Sequence, residues 1–260
     1  MFSYNLLQWI LFFFIYCFVG WVIESTMVSI RQKEFVNRGF LRGPFLPLYG
    51  FGAIVILFVT LPVKENPVLV FLCGMIGATI LEYLTSCIME AILKIKYWDY
   101  SYQKFNFQGR ICLACSLFWG LLSLFLTYVL HKLVETIILH IDTKLTLILV
   151  IIISLYILSD SVYAFRTAFD VNKLLENITR IKEEIEQLKL QLTEKVEASE
   201  HATIILNNMQ ELKNELSMKL NKISFFNKQL IKAHPHAYSR YFNDALKEVR
   251  TRLNEKITKQ

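Results

Sequence analysis

Residues 67–93 read PVLVFLCGMIGATILEYLTSCIMEAIL. Pro67–Leu81 carries no charge, and the apolar run continues past Glu82 to about Leu93. That exceeds the ~20 residues with which a helix crosses about 30 Å of hydrocarbon. Gly74, Ala78, Glu82, Ser86 and Glu90 recur at every fourth position, so on a helix they form one slowly drifting stripe. One end of the stripe is small, which lets another helix approach closely. The other end is acidic, and a carboxylate in a span costs roughly 2.5–3.5 kcal/mol unless it faces protein or water. The stretch therefore predicts a membrane helix and also the face it keeps from lipid.

Four further apolar segments flank it: Leu6–Ile23, Phe45–Val63, Ile111–Leu130 and Leu145–Ser159. None shows the alternating ten-residue pattern of barrel strands, so helices are expected throughout. The fold class is all-α: a polytopic membrane protein with about five transmembrane helices. Composition agrees. Apolar residues make up 54% of the 260 and charged ones 19%, against about 25% charged in soluble domains. A soluble single-domain enzyme is excluded. The charges concentrate behind the apolar part, with eleven Lys/Arg and nine Asp/Glu in residues 1–165 and seventeen and thirteen after them. The chain accordingly divides in two: residues 1–166 as a transmembrane domain and residues 167–260 as a charged cytoplasmic helical tail.

The first segment reads as a permanent span, because Met1–Asn5 lacks Lys and Arg and no small-x-small cleavage site follows. Basic residues set the orientation. Arg31, Lys33, Arg38 and Arg42 follow the first segment, and Lys94, Lys96, Lys104 and Arg110 follow the third; the other loops hold only Lys64, Lys132 and Lys144. The excess of Lys and Arg on the cytoplasmic side places the N-terminus outside and the C-terminus inside a cell membrane crossed several times.

In that topology Glu24, Glu82, Glu90 and Asp160 all fall in the cytoplasmic halves of their helices. A carboxylate near a helix C-terminus also meets the negative end of the macrodipole, so cationic partners are expected. The adjoining loops supply Arg38, Arg42 and Arg110. Loop one (NRGFLRGP, residues 37–44) contributes Asn37, and loop three contributes Asp99 and Asn106. A substrate-binding polar site on the cytoplasmic side is therefore assembled from Glu24, Asn37, Arg38, Arg42, Glu82, Glu90, Asp99, Asn106 and Arg110. The same ions could instead lock helices together, since buried ion pairs often do that. Asp160, near a helix end, can snorkel to water.

An internal parallel repeat is also legible. In each half an acidic helix leads to a loop with Asn, Gly and Arg, then to a helix reaching Gly50 or Gly120.

The five cysteines lie in apolar segments and form no disulfide framework. Cys112-x-x-Cys115, at helical spacing, reads as packing. His131 and His140 fall on the outer side, away from the acids, and His234-Pro235-His236 reads as a linker, so no metal site and no cofactor is expected. The sequon at Asn177 would go unused in a cytoplasmic tail.

From Leu174 to Ile223 apolar residues recur at alternating spacings of four and three, interrupted by Lys195, Ser199 and Lys213. Glu and Lys surround them, which predicts a coiled coil or a helical hairpin. The interruptions would mark a bend or fix register. A second amphipathic helix is expected from Tyr238 to Ile257. Alternating Lys and Glu make a solvated face rather than a nucleic-acid surface. The tail would then mediate homo-oligomerisation or recruit a partner protein.

No phosphate loop G-x-x-x-x-G-K-[ST], no G-x-S-x-G and no H-E-x-x-H occurs, so the residues do not point to an ATPase, a hydrolase or a metalloprotease. Gly20-Trp21-Val22-Ile23-Glu24, the run NRGFLRGPFLPLYGFG (37–52), Leu81–Glu90, and Trp98-Asp99-Tyr100-Ser101 leading to Asn106 and Gly109-Arg110 resemble the CmpB family. The resemblance covers about residues 5–135 and leaves the tail outside. Bacterial members of that family carry the labels "putative ABC-transporter type IV" and "putative ABC transporter permease", and it has eukaryotic transmembrane relatives. The resemblance implies a permease or permease subunit with a separate ATP-binding partner. Two other readings stand beside it. One is a membrane enzyme or lipid-headgroup binder, with Arg38, Arg42 and Arg110 holding a phosphate. The other is a membrane-anchored coiled-coil scaffold.

Overall fold

The computed structural model describes residues 4–194 and 199–257. The first helix, α1 (Leu6–Gln32), starts on a capping box in which Asn5 and Gln8 each accept the other's backbone N–H. It ends at Lys33, whose left-handed φ of 56° stops the helix. Helix α2 (Pro47–Thr60) opens on a proline, which has no N–H to leave unmet there, and tightens into a 3-10 turn at Leu61–Val63. Helix α3 (Pro67–Leu93) is capped by Asn66, which accepts from the N–H groups of Val68 and Leu69. A short antiparallel hairpin comes next, β1 (Asn106–Phe107) with β2 (Ile111–Cys112). Helix α4 (Leu113–Phe125), a π turn (Leu126–Leu130) and α5 (His131–Leu139) then form one apolar rod. The fifth apolar stretch opens α6 (Thr143–Glu194), 52 residues or about 78 Å. Helices α7 (Ser199–Asn221), α8 (Phe225–Ala233) and α9 (Asn243–Ile257) complete the chain.

Four of these rods are long and apolar enough to cross a membrane: Leu6–Gln32, Pro67–Leu93, Leu113–Leu139 and the first part of α6. Pro47–Val63 is equally apolar but shorter, about 25 Å at helical rise. The molecule is a nearly all-α membrane protein. Helix α3 shows both faces of its stripe. Val70, Gly74, Ala78, Glu82 and Ser86 are buried, whereas Leu72, Ile76, Ile80, Leu84 and Ile88 are exposed one turn apart. A Cβ on Gly74 would collide with Ser123 of α4, and one on Gly120 of α4 would collide with the Phe71 ring, so α3 and α4 touch through missing side chains.

The rod Leu113–Leu139 runs past the Leu130 at which the apolar run was expected to end, and Lys132 therefore lies on a helix and not in a loop. Tyr238 and Tyr241, expected on the last helix, precede it in an irregular segment. No break separates residues 166 and 167: α6 carries the chain straight from the apolar region into the tail. Beyond it, α7 turns back. Ile181 and Ile185 pack with Met209, and Leu175 and Ile178 share a cluster with Leu220, so α7 runs antiparallel to α6. The interruption expected at Lys195 falls outside the described residues. Two larger cores result. One, around Phe12, Ile56 and Leu57, lies among α1, α2, α3, α5 and α6, with Leu126 of the π turn. The other joins Leu93, Ile95 and Tyr97 to α6, α8 and α9.

Candidate functional site

Glu24 and Glu82 sit in equivalent settings. Tyr49, the residue before Gly50, donates its hydroxyl to Glu24 Oε1 at 2.6 Å. Trp119, the residue before Gly120, donates its indole N–H to Glu82 Oε2 at 2.9 Å. Gly50 lies against Phe13, eleven positions before Glu24, and Gly120 against Phe71, eleven before Glu82. The α1–α2 and α3–α4 pairs thus repeat one construction, as the parallel repeat in the sequence suggests. The Tyr49 and Trp119 rings meet at 5.8 Å between centroids, so the two halves join through them.

The two acids differ in partner. Glu24 faces Arg38, with Nε to Oε2 at 3.7 Å. Glu82 is 5% exposed and has no Arg or Lys on it among the described residues. Its second oxygen accepts instead from the Tyr100 hydroxyl at 3.1 Å. Burial, and after it the Glu82 charge, hold the Tyr100 phenol far above its usual range, so Tyr100 stays a donor. Two turns along α3, Glu90 pairs with Arg110 Nη2 and, at 3.4 Å, with Arg240 Nε from the tail. Arg110 also donates to Ser86 Oγ at 3.2 Å.

The other expected site residues do different work. Asn37 accepts from the Trp21 indole at 2.8 Å and the Gly39 N–H, and donates to the Arg42 carbonyl, so it braces loop one. Asn106 plays the same part in loop three, accepting from Gly109 N–H and donating to the Gln103 carbonyl. Asp99 accepts from the Ser101 hydroxyl and N–H, and a Cβ on Gly109 (φ 67°) would strike this pair. Arg42 reaches none of Glu24, Glu82 and Glu90. Its guanidinium lies 3.8 Å from the Phe226 ring and donates to Thr167 Oγ1 at 2.8 Å, while its backbone N–H and that of Gly43 cap Asp160.

Tyr49, Trp119, Tyr100 and Arg240 were not anticipated as partners. The one signal for the first two was their position before the paired glycines. Arg240 left none, because its partner is 150 positions away. His131 is not idle either: it is buried between the Tyr16 and Tyr4 hydroxyls, at 2.8 and 3.2 Å, with Glu135 on Tyr4. Among the described residues no group of three His, Cys, Asp or Glu could hold a metal ion.

The segment after α8 lies on these loops. Lys96 and Tyr238 exchange both backbone hydrogen bonds, at 2.8 and 2.9 Å, and Ser239 Oγ donates to the Lys94 carbonyl. Lys232 pairs with Glu34 at 3.2 Å. His234 is buried and packs edge-on against Tyr97.

The model of one protein family, described as "Putative ABC-transporter type IV" (CmpB), matches residues 11–165. The chain belongs to this CmpB family. The match takes in Glu24, Glu82, Glu90, both braced loops and the apolar part of α6, and ends at residue 165, within that helix. No curated protein and no solved structure matches the chain. In this CmpB protein the polar interior therefore belongs to the family region, whereas Arg240, Lys232 and His234 come from beyond it.

Proposed function

We propose that this CmpB protein is a multi-pass permease, or permease subunit, of the cell membrane, and that Glu82 is the residue that meets its substrate. The observation that carries the reading is the setting of Glu82. Arg38 neutralises Glu24, and Arg110 with Arg240 neutralises Glu90, but among the described residues Glu82 has only neutral donors. A buried carboxylate without a cation recruits one, or a proton. The chemistry points to a cationic substrate or to proton-coupled movement. Pro47–Val63 serves as the fifth span, with the N-terminus outside and loops one and three in the cytoplasm. Glu24, Arg38, Glu90 and Arg110 line the cytoplasmic approach to Glu82. Asn37, Asp99 and Asn106 hold that entrance in shape, and Arg42 fastens it to the tail. With no phosphate loop in the chain, ATP-driven transport requires a separate ATP-binding subunit.

The lipid-headgroup reading needs Arg38, Arg42 and Arg110 around one phosphate, and their guanidiniums instead go to Glu24, Thr167 and Glu90. The scaffold reading needs a free apolar seam on the tail, and Ile178, Ile181 and Ile185 are buried within the chain.

The test is mild-detergent purification of the full chain, then reconstitution beside Glu82→Gln. Cation or proton flux with the wild-type chain, lost in Glu82→Gln at equal membrane abundance, is the expected result. Equal flux through both proteins would remove Glu82 from the pathway. An ATP-binding protein copurifying in stoichiometric amount would place the chain in an ABC complex. A self-oligomer carrying only lipid would make it a stand-alone transporter.

A further inference from the structure

We propose that Cys112 and Cys115 form a redox-active dithiol, which closes to an intramolecular disulfide on reaction with a peroxide and so changes the surroundings of Glu82. At the usual helical spacing two cysteines pack side by side. Here Cys112 is not in the helix: it ends β2 with an extended backbone (φ −145°, ψ 156°) and is the N-cap of α4. From there its Sγ swings over the first turn, accepts the Cys115 N–H at 3.3 Å and lies 2.9 Å from Cys115 Sγ. Cys112 is buried, whereas Cys115 is partly exposed and gives a small oxidant access. Cys17, Cys73 and Cys87 lie on α1 and α3.

The pair is wired to the polar interior by one residue. Tyr100 donates to Glu82, and its hydroxyl also stands beside the Cys115 thiol. In the oxidation the peroxide O–O bond breaks and an S–S bond forms. Two electrons leave the sulfurs, and both thiol protons leave with the two oxygens as water. Closing the disulfide draws the Cys115 sulfur onto Cys112 and away from the Tyr100 hydroxyl, so the Tyr100–Glu82–Trp119 set loses a neighbour. In a reducing compartment such a pair is a sensor or catalyst and not a structural brace. None of this depends on what the protein transports.

The experiment uses full-length protein in native membranes, exposed to hydrogen peroxide and then denatured in SDS with N-ethylmaleimide. The expected peptide spanning residues 112–115 is two mass units lighter and carries no maleimide, and dithiothreitol restores two maleimide-labelled cysteines. A variant with Cys17, Cys73 and Cys87 replaced by Ser gives the same result; if it fails to fold, the wild-type peptide decides alone. Two fully labelled thiols after peroxide, or sulfinic acid in place of a disulfide, would overturn the proposal. Oxidation should also shift tryptophan fluorescence in the wild type and not in Trp119→Phe. A disulfide that forms with no such shift would refute the link to Glu82.

Discussion

Glu82 keeps its place because two aromatic donors meet its two oxygens, and each donor is tied to a different element. Trp119→Phe leaves Oε2 buried without its partner, a loss of about 1–3 kcal/mol. The expected readout is a lower thermal midpoint in detergent. A midpoint equal to the wild type would mean that the indole does not hold Glu82. A similar logic applies at Gly74, where the neighbour is the Ser123 side chain. Gly74→Ala should cost about 1–3 kcal/mol by overpacking, and Ser123→Gly in the same chain should return part of it. No rescue would show that α3 and α4 do not meet there. His234 gives a prediction in pH. Burial, then the charge of Arg38, push its imidazole down to about 3, with Nδ1 donating to the Leu230 carbonyl and the Tyr97 ring beside it. The unfolded chain takes up a proton near 6.5 and the folded one does not, so this contribution is complete above about 6.5 and is lost as pH falls towards 3. The slope is at most about 1.4 kcal/mol per pH unit. Urea unfolding at pH 7 and pH 5 should show a smaller loss in His234→Gln than in the wild type. Equal losses would remove His234 as the source.

At the scale of elements, the features legible in the sequence came from local rules. Helix α3 ends at Leu93, where the apolar run gives out, and its every-fourth-residue stripe is the buried face, because helical periodicity alone sets both. Glu24 with Arg38 and Glu90 with Arg110 are each bridged by one loop, so for these two charges the partner that a span demands lay close in the chain. The hairpin at 106–112 was not legible, since each of its strands is two residues long and carries no alternation to read. Neither was the seat of Arg42. Guanidinium groups pair with aromatic faces as well as with acids, and Phe226 lies 184 positions away. The contact makes α8 an element of the loop-one region. Replacing Arg42 with Ala should release α8 to limited proteolysis near Phe225 while leaving α1–α5 intact. Cleavage at the wild-type rate would show that α8 is held by other contacts alone.

For the whole molecule the decisive relation is between the family region and the tail. Residues 11–165 match the CmpB model, yet Leu93, Ile95 and Tyr97 of that region are buried in one core with α8 and α9. The tail is thus folded as a cover over loops one and three, with Arg240 on Glu90, Lys232 on Glu34 and the Lys96–Tyr238 backbone pair holding it down. Surface ion pairs contribute little by themselves. Seventeen buried apolar residues in the shared core are what keep the cover closed, and the ions fix its register. A carbodiimide that joins a carboxylate directly to an amine reads this arrangement without any mutation. Applied to full-length protein in membranes, it should yield an amide between Glu34 and Lys232, found by mass spectrometry as one crosslinked peptide pair within single chains. A mixed population of isotopically light and heavy protein separates the alternatives. Light–light and heavy–heavy pairs place the tail on its own loops. Light–heavy pairs would mean that the tail covers a neighbouring copy, and no pair at all would mean that the loops are uncovered in the membrane.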